Sequence, residues 1–219
     1  MYFLILAGSL IITGHLGEEY IKQKELPYCM KIKGKVVILD KILNNLDKLV
    51  IDFVNVLKRH TDYVLVSGYV AILFGRSRIS EDIDILIPKI DEGNFKKLYK
   101  DLSKEFWCIN EEDISELFEL LQTKHSIRFA RKKKVIPNIE LKFADSLIDK
   151  ETLKEKAKVK IRNITLFISP IEIQIPYKLI ALGSEKDKED ALHLKEVFKG
   201  HVSKEKIKYY ESLIKEHGK

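Results

Sequence analysis

The chain has 219 residues, of which 45% are hydrophobic and 33% charged, with 10 Gly and 5 Pro. This composition excludes a disordered, collagen-like or polytopic membrane protein, and the length allows one domain with an appendage or two small domains. The 39 Lys and Arg residues exceed the 33 Asp and Glu residues, which gives a net charge of +6. Such an excess favours a polyanionic partner, such as a nucleotide or RNA.

The cysteines and histidines indicate a reducing compartment and no zinc site. Cys29 and Cys108 are far apart and form no CxxC motif, so we expect free thiols and a cytoplasmic protein. The six histidines are scattered without the HxxxH spacing of a helical zinc site. The abundance of Lys, Glu and Ile is typical of thermophilic, including archaeal, proteins.

The first thirty residues need a separate interpretation. Residues 2–13 form an apolar run that is too short to cross a bilayer, which takes roughly 20 residues, so we expect no stable membrane association. Three interpretations stay open: an over-extended start with Met30 as the true first residue, a buried strand or helix, and a secretory or anchoring segment. We therefore divide the chain into a leader at 1–30, a core at 31–150 and a C-terminal part at 151–219.

Apolar periodicity predicts an alternation of strands and helices in the core. In chain order the predicted elements are a strand or hairpin at 31–39 around Gly34, an amphipathic helix at 40–60, a strand at 63–66, a buried helix at 69–74, a strand at 82–87, charged helices at 91–104 and 111–124, and a hairpin with strands at 126–130 and 139–143.

The C-terminal part is predicted to be mostly helical. Its predicted elements are a helix or loop at 150–158, a strand at 163–168, a helix from Ser169 through Leu182, and helices at 186–199 and 203–217. Ser169-Pro170-x-Glu172 is typical of a capping box, Pro176 predicts a kink, and Ser203 is a candidate N-cap. The fold class is therefore α+β, a small mixed β-sheet flanked by helices with a helical C-terminal extension.

Two aspartates on one predicted strand suggest a metal site. Asp82 and Asp84 are two residues apart, so their side chains share a strand face while Ile83 points to the other. Neighbouring carboxylates repel each other unless a cation lies between them. Hard oxygen ligands suit Mg²⁺, with Mn²⁺ as an alternative, in phosphoryl or nucleotidyl transfer.

A turn before the short helix at 69–74 is a candidate phosphate site. Ser67 and Gly68 follow a strand and precede that helix, so backbone N–H groups there can bind an anion. Arg76 and Arg78 precede the aspartate strand and can add positive charge near the phosphates of a nucleotide.

The stretch SGYVAILFGRSRISEDIDILI, residues 67–87, resembles the signature of the DNA polymerase β-like nucleotidyltransferase superfamily. It is most similar to the minimal prokaryotic branch, which includes the toxin nucleotidyltransferases of AbiEii-type abortive-infection systems. Ser67-Gly68 matches the family's Gly-rich turn, and 80–84 matches its Ser/Thr-x-Asp-x-Asp strand. The turn departs from the family pattern, because Ser-Gly followed by Tyr69 replaces Gly-Gly or Gly-Ser. The resemblance extends over residues 40–200.

The resemblance implies a nucleotidyltransferase fold and a third carboxylate on a neighbouring strand. Glu140 is the best match, as a metal ligand and as the base for the attacking hydroxyl, although the family usually has Asp. Asp145 is the fallback, and a solvated Glu140 on an edge strand is the alternative.

The resemblance also implies nucleotide-binding residues in the C-terminal part. Lys178 would reach the triphosphate, and Asp187 and Asp190 would shape the nucleotide pocket or contact Lys178. The alternative is an ordinary helix start, where acids complement the helix dipole. Together with Ser67, Gly68 and Arg78, these residues form the predicted nucleotide site.

Two functional interpretations compete. In the first, the protein uses Mg²⁺ to move a nucleoside monophosphate from an NTP to a hydroxyl acceptor. The acceptor is RNA or tRNA, a protein or a small molecule. The setting would be a toxin–antitoxin or abortive-infection system, with an antitoxin as partner. The basic stretch formed by Arg128 and residues 131–134 would guide RNA or is simply a solvated hairpin tip. In the second, the chain is a non-catalytic nucleotide-binding or antitoxin-like protein on the same fold. P-loop, Rossmann, HExxH and GxSxG motifs are not found in the sequence.

Overall fold

The computed structural model describes residues 3–6, 9–13, 19–22 and 29–217, the first three ranges as backbone only. The strands are β1 (Phe3–Leu6), β2 (Ser9–Thr13), β3 (Glu19–Lys22), β4 (Cys29–Lys33), β5 (Val36–Asp40), β6 (Val64–Leu65), β7 (Asp82–Ile87), β8 (Phe106–Cys108), β9 (Ile127–Arg131), β10 (Asn138–Phe143), β11 (Ala157–Ile161) and β12 (Ile164–Ile168). The helices are α1 (Asn45–Leu57), α2 (Ser67–Leu73), α3 (Glu92–Leu102), α4 (Ile114–Gln122), α5 (Leu147–Glu155), α6 (Ile171–Pro176), α7 (Glu185–Val197) and α8 (Lys204–His217), and a π-helical segment (Tyr177–Leu182) follows α6.

The strands form one mixed sheet. Their order across the sheet is β1-β2-β3-β4-β5-β11-β12-β6-β7-β10-β9-β8. The pairs β5–β11, β12–β6 and β7–β10 are parallel, and the remaining neighbours are antiparallel. With helices packed against the sheet and helices at the C-terminal end, the predicted α+β class is confirmed.

Most element predictions hold, and the exceptions have local causes. The first helix starts at Asn45 instead of residue 40 because the Asn44 and Asp47 side chains form a reciprocal capping box there. A capping box between Ser146 and Asp149 starts α5 early, which leaves 157–161 free to form the unpredicted strand β11. The predicted N-cap is present at Ser203, whose hydroxyl accepts from the Lys206 N–H at 3.2 Å.

The predicted capping box at Ser169-Pro170-x-Glu172 is wrong. The Ser169 hydroxyl donates to the Pro170 carbonyl oxygen at 3.4 Å, and the Glu172 carboxylate accepts from the Ser203 N–H at 3.4 Å. The predicted irregularity at Pro176 is present, since α6 ends there and the chain continues as the π-helical segment. Proline has no N–H to donate in a helix interior, which favours a change of helical geometry.

The two faces of the sheet around β7 differ in chemistry. Ile83, Ile85 and Ile87 are fully buried on one face, whereas Asp82 and Asp84 lie half-buried on the other. On the first face, Phe53 of α1 packs edge-on against Phe106 at a centroid distance of 5.1 Å. We call the second face the acid face.

The leader is described in part. The apolar run at 2–13 contains β1 and β2, but its side chains lie outside the described residues, so its burial stays a prediction. Within the described ranges, none of the helices combines the length and the apolar character needed to cross a membrane.

Candidate functional site

The strand register brings the predicted acids together. In the parallel pair β7–β10, Asp84 lies opposite Glu140 and Asp82 lies opposite Asn138. Neighbouring strands are about 4.8 Å apart, so the three carboxylates belong to one small area of the acid face. Alternation on each strand places the isoleucines of β7, and Ile139 and Leu141 of β10, in the core on the opposite face.

Asp84 is the most perturbed acid of this cluster. Its burial, and then repulsion from Glu140 and Asp82, raise the pKa of its carboxyl to about 6. A hydrogen bond from the Ser67 hydroxyl and the charge of Lys178 act in the opposite direction. The Asp84 carboxyl is therefore harder to ionise than that of an exposed aspartate.

Glu140 is held by two donors in this structure. The Arg128 Nε donates to its Oε1 at 2.5 Å, and the Ser126 hydroxyl donates to its Oε2 at 3.3 Å. Among the described residues, no group of three or more His, Cys, Asp or Glu side chains is arranged to hold a metal ion. The fallback acid Asp145 lies apart from the cluster, where Lys89 and Lys124 hold its pKa well below the usual range.

The Ser67-Gly68 turn has two features that its sequence alone does not give. Ser67 has a φ of 59°, a left-handed conformation that favours glycine and strains other residues. Gly68 is fixed by packing, since a Cβ there would lie 2.1 Å from Arg78 Nη2. The guanidinium of Arg78 therefore lies directly against the backbone of the turn.

Arg78 also reaches the C-terminal helices. Its Nη1 lies 3.1 Å from Asp190 Oδ2, and its Nη2 donates to the Ser80 hydroxyl at 3.3 Å. Asp190 is fully buried on α7. The contact thus ties α7 to the turn and to the start of β7.

Lys178 lies inside the molecule. Its side chain is fully buried, and its ammonium donates to Asp187 Oδ1 at 3.1 Å and to Asp190 Oδ2 at 3.0 Å. The contact of Asp187 and Asp190 with Lys178 is present, and Asp187 also lies in the first turn of α7 as an ordinary helix start would have it. Direct contact of the lysine with a triphosphate stays a prediction.

Tyr69, the residue that departs from the family-like pattern, has a structural role. Its ring is fully buried, and its hydroxyl donates to Asp47 Oδ1 at 3.0 Å. Asp47 also accepts from the Lys41 ammonium at 3.0 Å. The tyrosine thus connects α2 to the first turn of α1 and leaves the turn itself unobstructed.

A cavity of about 420 Å³ adjoins the acids. Its lining includes Ser67, Asp84 and Glu140 on the sheet side and Thr152, Ser169 and Gln174 on the helical side. The cations in its lining are Lys124 and Lys142, the second of which follows Glu140 on the acid face of β10. The carboxylates of Asp84 and Glu140, a tight turn and lysines around one cavity can bind a polyanion together with a divalent cation.

Sequence reasoning missed several lining residues. The Ser126 and Arg128 contacts follow from the pairing of Glu140 with Arg128 in the β9–β10 hairpin, a register that apolar alternation does not specify. Gln174 had a weak signal, because it is a polar residue within the apolar run IEIQIP.

The acid face continues to the edge of the sheet. Asp82, Asn138, Ala130 and Trp107 lie side by side on β7, β10, β9 and β8. The indole of Trp107 is 39% exposed, and its Nε1 donates to the Lys134 carbonyl oxygen at 2.7 Å. Three strand spacings separate Asp82 from Trp107, a distance of about 14 Å.

Comparison with known proteins gives similarity to solved structures. No protein-family model and no curated protein matches the chain. A similar solved structure is that of an antigenic nucleotidyltransferase-like protein from Paracoccidioides brasiliensis, with a TM-score of 0.47 and 12% sequence identity over 77% of this chain and 86% of that chain. No argument about activity follows from a similarity at this level.

Proposed function

We propose that the protein is a Mg²⁺-dependent nucleotidyltransferase that moves a nucleoside monophosphate from an NTP to a hydroxyl acceptor. The observation that carries this proposal is the convergence of Asp82, Asp84 and Glu140 beside the cavity of about 420 Å³. Catalysis would come mainly from positioning the reactants and neutralising phosphate charge.

The donor set of the acid cluster fits a hard divalent cation. Asp82 and Asp84 offer carboxylate oxygens on one face, and a cation there would favour the ionised form of Asp84, whose pKa is raised first by burial and then by repulsion from Glu140 and Asp82. These two residues would hold Mg²⁺ or Mn²⁺, with Glu140 beside them. The bound ion would neutralise phosphate charge.

The remaining residues divide into contact and positioning roles. The Ser67-Gly68 backbone would face the phosphates, with Lys142 as the cation on the same face of the cavity. Lys178 and Arg78 would position this turn through the buried acids of α7.

The acceptor that best fits the acid face is an RNA hydroxyl. Trp107 offers an exposed ring for base stacking on the same face as the acids, and Lys132, Lys133 and Lys134 form the adjacent hairpin tip. These three lysines form no ion pair with a described residue, so their charge is available to phosphates. Glu140, released from Arg128, would accept the proton of the attacking hydroxyl.

The test is transfer of label from each α-³²P-NTP to total RNA, or to protein, in the presence of Mg²⁺. We expect labelled RNA with the wild type and none with Asp82→Asn/Asp84→Asn. The matched control is Glu81→Gln, an exposed acid next to the cluster, which should keep its activity. Label on protein alone would contradict the RNA acceptor, and an active double variant would contradict the acid site.

The second candidate is a non-catalytic nucleotide-binding protein. It is favoured by one observation, namely that Arg128 and Ser126 occupy both oxygens of Glu140. Such a protein would bind NTPs in calorimetry and transfer no label to any acceptor. A toxin role and an antitoxin partner stay predictions from the sequence resemblance.

A further inference from the structure

The cavity contains a buried carboxamide without a bonding partner. The Gln174 side chain lies on α6 and is only 3% exposed, and its Oε1 accepts no hydrogen bond from any described group. An unpaired polar group in the interior usually destabilises a protein. A buried amide oxygen in a cavity wall that accepts no hydrogen bond within the protein is typical of a site where a ligand supplies the partner.

The surroundings of Gln174 suit a flat, partly apolar ligand. Ile148 and Ile173 are buried next to Tyr177, and all three line the cavity together with Gln174. Ser67 and Asp84, on the sheet side of the same cavity, are the polar groups proposed to face phosphates and metal. On the helical side of the cavity, apolar Ile148, Ile173 and Tyr177 thus lie near the carboxamide among polar Asp149, Thr152 and Ser169, and the sheet side is charged.

We propose that Gln174 recognises the hydrogen-bonding edge of the nucleobase of the bound NTP. A carboxamide presents an acceptor beside a donor, and each of the four nucleobases offers a donor next to an acceptor on its Watson–Crick edge. Because the base then pairs with a group that is otherwise unsatisfied, binding gains more than an exposed contact would give. This inference rests on the proposed function, and it assigns the base to the side of the cavity formed by α5, α6 and the π-helical segment.

The test compares Gln174→Met with the wild type in calorimetry with ATP, GTP, CTP, UTP and inorganic tripolyphosphate, each with Mg²⁺. Methionine keeps the length of the side chain and removes both polar atoms. We expect NTP affinity to fall roughly tenfold, which corresponds to the loss of one or two hydrogen bonds, while tripolyphosphate affinity stays unchanged. The matched control is Gln122→Met, an exposed glutamine at the end of α4 that does not line the cavity, which should change neither affinity.

Thermal unfolding without ligand gives a second, independent readout. If Gln174 is unsatisfied until the base binds, Gln174→Met should raise the melting temperature by about 2–4 °C. A glutamine with a purely structural role would give the opposite sign, together with a parallel loss of NTP and tripolyphosphate binding.

The outcomes separate this inference from the proposed function. NTPs that bind the wild type and Gln174→Met equally well would overturn the role of Gln174 and leave the nucleotidyltransferase proposal standing. A wild-type protein that binds no NTP with Mg²⁺ would overturn both. Reduced NTP affinity with a lowered melting temperature would also reject the inference.

Discussion

Gly68 shows how one missing side chain can position a site. The Arg78 guanidinium occupies the space where a Cβ would lie, and from there it reaches Asp190 on α7. A larger residue at position 68 must displace a guanidinium that is bound at its other end. The glycine is therefore needed for packing, whereas the neighbouring residue Ser67 has the left-handed backbone conformation.

We expect Gly68→Ala to lower the free energy of unfolding by about 1–3 kcal/mol, because displaced Arg78 leaves buried Asp190 with fewer partners. Urea denaturation measures this change. The control is Gly93→Ala in α3, where a Cβ meets only the Asp91 carboxylate at 3.2 Å and a helical alanine is favoured over glycine. A Gly68→Ala protein as stable as the wild type would show that the Arg78 contact is dispensable.

Asp84, which we propose as a metal ligand, also lowers the stability of the protein at neutral pH. Its pKa of about 6 in the native protein exceeds the ordinary value of 3.8 expected in an unfolded chain, so the native state binds the proton more tightly. The contribution of Asp84 to stability is therefore most favourable below pH 4 and is lost as the pH rises through about 6. At pH 7 the ionised carboxylate destabilises the cation-free protein by about 2–3 kcal/mol.

Replacing the Asp84 carboxylate with a neutral amide should remove this destabilisation at pH 7. We expect Asp84→Asn to raise the free energy of unfolding at pH 7 in the presence of a chelator, and to flatten its dependence on pH between 4 and 7. Urea denaturation across that range measures both effects. Glu81→Gln should follow the wild-type pH profile, and an Asp84→Asn protein that is less stable at pH 7 would contradict the explanation.

At the scale of elements, buried charges hold the C-terminal helices to the sheet. Lys178 of the π-helical segment and Arg78 of the loop before β7 both contact Asp190 on α7, and both Lys178 and Asp190 are fully buried. Removing one partner of such a group leaves an uncompensated charge in the interior. The fixed position of α7 relative to the turn thus depends on a few ion pairs as well as on apolar packing.

We expect Asp190→Ala to destabilise the protein by about 3–5 kcal/mol, whereas Glu189→Ala should change stability by less than about 1 kcal/mol. The neighbouring Glu189 is an exposed partner of Arg76 on the same helix, so the pair of variants separates buried from exposed charge. Chemical denaturation of both variants is the measurement. Equal losses of stability in the two variants would mean that burial does not determine how much the ion pairs of Asp190 contribute.

The two kinds of site residue differ in how far sequence predicts them. Asp82 and Asp84 could be predicted to share a face because strand alternation depends only on local spacing, whereas Glu140 was predicted only through the family resemblance and its place opposite Asp84 depends on strand pairing. The burial of Lys178 could not, because it depends on where a proline-terminated helix and the following π-helical segment place the residue. The short strands β8 and β11 were also missed, since three to five residues carry too little periodicity.

At the scale of the whole molecule, the acid face has a covered half and an open half. Helices α5 and α6 and the π-helical segment form one wall of the cavity, whereas Trp107 and the lysines at 132–134 lie exposed at the other end. A small nucleotide fits the covered half, and an extended polyanion fits the open half. The net charge of +6 indicated such a partner, but only the sheet order shows which edge carries the free lysines.

The salt dependence of RNA binding tests whether RNA binds to the open half of the acid face. If single-stranded RNA binds there, replacing Lys132, Lys133 and Lys134 by alanine should reduce the slope of log K against log salt by about 2, at roughly 0.7 per phosphate contact. Fluorescence anisotropy of a labelled oligonucleotide, titrated at several salt concentrations, measures this slope. Replacing the exposed lysines of α8, Lys204 and Lys208, gives the control, and an unchanged slope in the hairpin-tip variant would place RNA elsewhere.

The chain has one tryptophan, and the fold puts it on the acid face. Its indole is partly exposed and anchored through Nε1 to the hairpin tip, so its emission reports on this one place in the molecule. A base that stacks on the ring would quench that emission, whereas a nucleotide confined to the cavity would leave it nearly unchanged. The protein thus carries an intrinsic optical probe that can follow base stacking beside the hairpin tip in real time and without a label.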